Sequence, residues 1–308
     1  MFDIANKQKR ILITGGTVFV SKFVANYYVQ KGDAVYVLNR NHRPQVEGVT
    51  LIEADRHDLK DALKAYDFDV VIDVAAYTAE DIHDLLNGLG NFKEYIFISS
   101  SAVYPESNPQ PFTEEQGTGA NRFWGKYGTD KIAAEEALLK EVPDAYILRP
   151  PYLYGPVNNV YREAFVFECA ASMRRFYIPR EGEMKLQFFH VGDLCRVIDA
   201  ILEKKPENHI LNVGNEEMVS VYDWVKLCYK VVGTSPEIVN VNLNIEQRNY
   251  FSFYDYEYRL DVMKQKVLLE KTIDLEEGLR ESWEWYREHK EEVNRKDYIG
   301  YIETQLKN

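Results

Sequence analysis

The chain has 308 residues, 45% of them hydrophobic and 28% charged, which is enough apolar material for one large domain or two modest ones and excludes a disordered or fibrous class. A net charge of −12 disfavours nucleic acid and anionic membrane as partners of the surface as a whole. Three cysteines without metal-ligand spacing make neither a disulfide framework nor a metal site, and no stretch is apolar enough for a signal peptide or membrane span, so a cytoplasmic location is expected.

"RILITGG" is a short β-branched run ending in glycines, the pattern of a buried parallel strand. Residues 18–31 then show helical spacing, with Phe19, Phe23, Val24, Tyr27 and Tyr28 on one face, and "AVYVLNR" is the next strand. The strand–helix–strand unit implies a right-handed crossover and a parallel sheet. The alternation continues: "VTLIEAD" as strand, Leu59 to Tyr66 as a short helix, "DVVIDVA" as strand, and 79–90 as helix. "EYIFISSSAVY" reads as a fifth strand, 124–140 as a long helix and "AYILRP" as a sixth strand. This predicts a doubly wound α/β Rossmann sheet. The expected division is a dinucleotide-binding domain over 1–155, with a returning segment around 188–215, and a smaller α/β substrate domain over 156–308. "LEEGLRESWEWYREHKEEV" closes the chain as an amphipathic helix.

The loop "TGGTVFVS" is placed for a pyrophosphate but lacks two glycines of the usual pattern. Gly15 suits the tight turn, and Ser21 is small enough for close helix packing. Val18 is strained if its position needs a positive φ, and merely bulky if it does not. Gly16 and the helix N-terminus still offer N–H donors to an anion. The second strand ends in Asn39 and Arg40 rather than a carboxylate, so a 2′-phosphate meets no repulsion and an arginine that can bind it. NADP is therefore favoured over NAD. Asp55 is placed to accept from an adenine amine.

Tyr127 and Lys131 lie four apart on one helix face, where an ammonium favours a phenolate usable as acid or base. The spacing Tyr-x-x-x-Lys occurs four times in this tyrosine-rich chain, so spacing alone selects nothing. Order along the chain does: this pair alone follows a serine run, Ser99 to Ser101, at the carboxyl end of a sheet strand, where α/β sheets bind ligands.

Seven segments in order resemble the extended short-chain dehydrogenase/reductase family, in its NAD(P)-dependent epimerase/dehydratase branch: "ILITGGTVFVS", "VVIDVAAYT", "FISSSAVYP", "YGTDK", "LRPPYLYGP", "FFHVGDLCRVI" and "LNVGNEEMVSVYDWV". The resemblance implies Tyr127 as acid/base, Lys131 as its pKa-lowering partner and Ser100 as partner of the substrate hydroxyl. It implies cofactor contacts from Gly15, Gly16, Thr17, Phe19, Val20, Asn39, Arg40, Asp55, Ala75, Ala76, Tyr77, Ser99 and Pro150. A sugar or nucleotide-sugar substrate and a homodimer follow on the same ground. Two departures stand out. The glycine loop resembles the family's atypical branch, which includes chloroplast RNA-binding members, so a non-catalytic cofactor-binding or RNA-associated protein is the alternative. Leu186 also replaces the arginine that nucleotide-sugar enzymes usually carry four residues before the histidine of "FFHV".

Overall fold

The structure, a computed structural model, describes residues 8–242 and 244–307. Its strands are β1 (Arg10–Thr14), β2 (Ala34–Asn39), β3 (Thr50–Glu53), β4 (Asp67–Asp73), β5 (Asn91–Ile98), β6 (Tyr146–Arg149), β7 (Tyr152–Tyr154), β8 (Phe176–Pro179), β9 (Lys185–Leu186), β10 (Phe188–His190), β11 (Ile210–Asn212), β12 (Val219–Ser220) and β13 (Ile238–Val241). The helices used below are α1 (Phe19–Gln30), α2 (Ala79–Gly88), α3 (Lys126–Glu141), α4 (Glu163–Ala171), α5 (Val191–Lys204) and α6 (Val221–Val232).

Seven strands form one parallel sheet in the order β11-β6-β5-β4-β1-β2-β3. The α/β Rossmann-type fold read from the sequence is the fold observed. Ile11 and Ile13 of β1 face one layer of the core, with Val24 and Tyr28 of α1 and Ile198 of α5. Leu12 faces the other, with Leu85 of α2 and Leu138 of α3. Both faces are thus covered, and so the strands read as unbroken apolar runs rather than alternating ones. The order reverses between β1 and β4, which opens a crevice at the carboxyl ends of those strands.

Past residue 154 a separate aromatic cluster forms, including Phe165 and Phe167 of α4, Phe176 of β8 and Trp224 of α6. The strand expected at "EIVNV" pairs with β8 outside the main sheet, whereas "HILNV" supplies β11, which lies beside β6 within it.

Two local expectations fail. Residues 59–66 do not form a helix: a 3-10 turn spans Arg56–Asp58, capped by the Asp55 carboxylate, and Lys60 then takes φ 47°, a left-handed conformation that stops helical propagation. The fifth strand ends at Ile98 rather than running to Tyr104, because the Ser100 side chain accepts from Ala102 N and starts a 3-10 turn at Ser101–Val103.

Candidate active site

The loop after β1 departs from the family pattern at Val18 and Ser21, and Phe19, which opens α1, takes φ 31°. Gly15 and Gly16 take φ 90° and 85°, and a Cβ on Gly16 would come within 2.6 Å of Val37 Cγ1. Val18 has φ −137°, ordinary extended backbone, so valine there is bulky but unstrained. Ser21 packs against the loop where a third glycine would, its hydroxyl donating to Val18 O at 2.9 Å. No side chain caps the N-terminus of α1. Its first-turn N–H groups therefore remain available to an anion. Phe19 is buried in the core and Val20 half-buried, so these two present backbone more than side chain to the crevice; Thr17 is half-buried in the loop itself.

The loop is tied to its neighbours. Asn39 Nδ2 donates to Gly15 O at 2.6 Å, and Gly15 N to Leu38 O at 2.9 Å. Arg40 stays largely exposed, with Nη1 3.7 Å from an Asp55 carboxylate oxygen. At the end of β4, Thr14 Oγ1 accepts from Val74 N and Ala75 N and donates to Asp73 Oδ1 at 2.6 Å. Asp73, fully buried, also takes Arg56 Nη2 and the Tyr95 hydroxyl at 2.6 Å each. This network fixes the turn carrying Ala75, Ala76 and Tyr77. Sequence reasoning missed it; the signal was a single polar residue closing each of two apolar strands, Thr14 and Asp73.

The three serines separate by partner. Ser99 Oγ donates to Glu135, and Ser101 Oγ donates to Tyr258 at 3.0 Å; both are buried. Ser100 is half-buried; its oxygen accepts from Ala102 N, and its hydroxyl pairs with that of Tyr127. Pro150 is buried, its carbonyl accepting from Ser101 N. Beneath them Arg149 makes two bonds to Glu135, at 3.1 and 2.5 Å, and a third to Tyr104 at 2.8 Å, locking β6 to α3.

Tyr127 projects from the first turn of α3 into a cavity of about 440 Å³ that Ser100 also lines. The residue is 40% exposed, its ring beside that of Tyr77 at 6.1 Å between centroids. Burial of the hydroxyl end raises its pKa above the ordinary phenol value; Ser100, facing that hydroxyl, and the charge of Arg162 draw it back. Lys131 acts differently from the expectation. Its ammonium is buried and donates to Ala76 O at 2.7 Å and Ile98 O at 2.9 Å, without a hydrogen bond to Tyr127 among the described residues. Those two carbonyls lie in the turn after β4 and at the end of β5, so the amine ties the two together. Burial lowers its pKa to about 8. Among the described residues, one ammonium proton is left without an acceptor. Three metal-ligating side chains, His57, Glu80 and Asp84, approach within 4.8 Å at the surface, where His57 and Asp84 already pair at 2.6 Å.

Residues 82–214 match the model of the NAD dependent epimerase/dehydratase family. The chain is 30% identical over 92% of its length to the chloroplast stem-loop binding protein of 41 kDa b of Arabidopsis thaliana, covering 80% of that protein. It belongs to the NAD-dependent epimerase/dehydratase family. This family likeness continues at 22% identity to a UDP-N-acetyl-alpha-D-glucosaminuronate decarboxylase of Bacillus cytotoxicus, over 91% of this chain and 98% of that one. Among solved structures, the dTDP-glucose 4,6-dehydratase of Bacillus anthracis in complex with NAD superposes with a TM-score of 0.75 at 18% identity, covering 92% of this chain and 98% of the other. Further relatives are named as enzymes, among them a reductase of Mycolicibacterium smegmatis at 28% identity over 75% of this chain.

Proposed function

We propose that the protein transfers hydride between a bound nicotinamide and a sugar hydroxyl or ketone, with Tyr127 moving the proton. The observation that carries this reading is that Ser100 and Tyr127 share one cavity, in a chain whose β1–α1 loop keeps two glycines at positive φ. The residues fit the cofactor: a Cβ-free cradle at Gly15 and Gly16, an uncapped helix N-terminus for the pyrophosphate, and a buried lysine with one proton to spare for a ribose hydroxyl. The nicotinamide, when bound, takes or returns the hydride.

Tyr127, with its pKa raised, rests protonated at neutral pH, the state of a proton donor to an oxygen that gains charge during ketone reduction. Ser100 donates to the same oxygen. Thr14 and Asp73 hold the turn after β4, so that Tyr77 stands as a wall beside Tyr127. Arg40, exposed at the end of β2 with no carboxylate at Asn39, favours NADP. The net outcome is epimerisation, dehydration or reduction of a sugar, with nucleotide sugars first in a screen because several structural neighbours are crystallised with them. Tyr127→Phe is expected to abolish turnover while leaving nicotinamide binding intact. Full turnover in that variant would remove Tyr127 from the mechanism.

A second reading rests on the name of the chloroplast relative, a stem-loop binding protein. The net charge of −12 opposes it. Saturable, salt-sensitive binding of a stem-loop RNA in a gel-shift titration at physiological ionic strength would favour it.

A further inference from the structure

Lys131 is a buried cation whose nearby counter-charges are already engaged. The residue is 2% exposed. Asp73 of β4 and Glu135 of α3 are the carboxylates that most favour its charged form. Each is paired to an arginine, Asp73 to Arg56 Nη2 at 2.6 Å and Glu135 to Arg149 Nη2 at 2.5 Å. Asp73 also takes the Thr14 and Tyr95 hydroxyls, and Glu135 takes that of Ser99. Arg56 repels the ammonium and Asp81 of α2 attracts it, both more weakly than the first two act. Burial is larger than any of these and draws the pKa down to about 8.

What the ammonium touches is uncharged. Besides the carbonyls of Ala76 and Ile98, it lies over two aromatic rings, that of Phe97 at 4.7 Å and that of Tyr77 at 4.9 Å from the centroids. A ring face carries the negative part of the aromatic quadrupole, and its attraction for a cation grows as water is excluded. Phe97 is fully buried in the core with Ala134 and Leu138 of α3, so packing alone accounts for it. Tyr77 is different. It is 53% exposed, in the turn after β4. Other side chains fix that turn: Asp73 accepts from Ala76 N at 3.2 Å, and Asp81 from Tyr77 N and Thr78 N at 2.9 and 2.8 Å. The turn therefore asks nothing of the Tyr77 side chain, and a half-exposed ring gains little by burial. That ring nonetheless stands over Lys131 and 6.1 Å from the ring of Tyr127.

We infer that Tyr77 is a positioning residue of the site, whose ring face holds the Lys131 ammonium charged and in place where the neighbouring carboxylates are committed to arginines. This rests on the reading of Tyr127 and Lys131 given above. The ring carries the effect and the hydroxyl does not. Phenylalanine can therefore replace Tyr77, and an aliphatic side chain of comparable size cannot.

The test is a set of denaturant melts of the full chain at a series of pH values. An amine whose folded pKa lies below its unfolded one leaves the unfolded chain holding more protons between the two, so stability rises with pH across that window. The Lys131 share of the rise, read as the difference between wild type and Lys131→Met, should begin near pH 8. Tyr77→Leu keeps the wall apolar without a ring face, and its rise should begin about one pH unit lower, a tenfold loss of proton affinity. Tyr77→Phe should keep the wild-type onset. With Lys131→Met in place, neither Tyr77 substitution should alter the pH dependence. An unchanged or higher onset in Tyr77→Leu, or an equal shift in Tyr77→Phe, would overturn the inference. Tyr77→Met serves the same comparison should Tyr77→Leu not fold. The melts need neither cofactor nor substrate, so their outcome is read apart from the hydride chemistry. Full turnover in Tyr127→Phe would discard the proton role and leave these onsets where they are.

Discussion

Ser100 and Tyr127 show what a side chain gains from its neighbours' commitments. Ser99 and Ser101 are spent on Glu135 and Tyr258, which leaves Ser100 as the half-buried serine of the run that meets the Tyr127 hydroxyl. The run was visible in the sequence, but the choice within it depended on partners 36 and 157 residues away. Tyr127→Phe should lower turnover by about 10²–10⁴-fold, measured with whichever sugar the screen yields, with nicotinamide affinity unchanged. Lys131 makes a second prediction. Its pKa falls from 10.5 to about 8 on folding. Between those values the unfolded chain binds more protons than the folded one, so this group makes the protein more stable as pH rises from about 8 toward 10.5. Below pH 8 its contribution is flat. Denaturant melts across that window should show the rise in wild type and its loss in Lys131→Met.

At the scale of elements, strands were legible wherever a run was covered on both faces, because burial alone demands continuous apolar residues. Legibility failed where a side chain captured the backbone: Asp55 caps a 3-10 turn in place of the expected helix, and Ser100 ends β5 early. The β1–α1 loop sits between these cases. Its missing glycines were plain in the sequence, but that Val18 has an ordinary φ was not. Val18→Gly should therefore change nicotinamide affinity by less than about threefold. Gly16→Ala, forced against Val37 at a φ of 85°, should weaken it by at least about tenfold in the same titration. The buried Arg149–Glu135 pair supplies a test of the scaffold. Removing one partner with Arg149→Met leaves the buried Glu135 carboxylate with only the Ser99 hydroxyl and should cost about 3–5 kcal/mol in a chemical melt.

For the whole molecule, the acid/base half of the site lay close enough in sequence to be read, since Ser100 and Tyr127 both stand at the carboxyl edge of one sheet. The rest of the cavity did not. Arg162, Arg248 and Lys296 line it from three segments joined by a β-bridge and an aromatic cluster, with no pattern linking them along the chain. On the proposed reading the sheet carries the cofactor loop and the later segments supply most of the cavity beside Tyr127. That division places cofactor type with Arg40: Arg40→Ala should remove any preference for NADPH over NADH, compared by their affinities.

On the proposed reading, the crevice between β1 and β4 holds a nicotinamide dinucleotide despite its altered loop. Titration of the purified chain with NAD, NADH, NADP and NADPH by calorimetry tests it most directly. Saturable one-site binding of at least one form, weakened in Gly16→Ala but not in Val18→Gly, is the predicted result. No binding by any of the four would contradict the account at its base and take the proposed hydride chemistry with it.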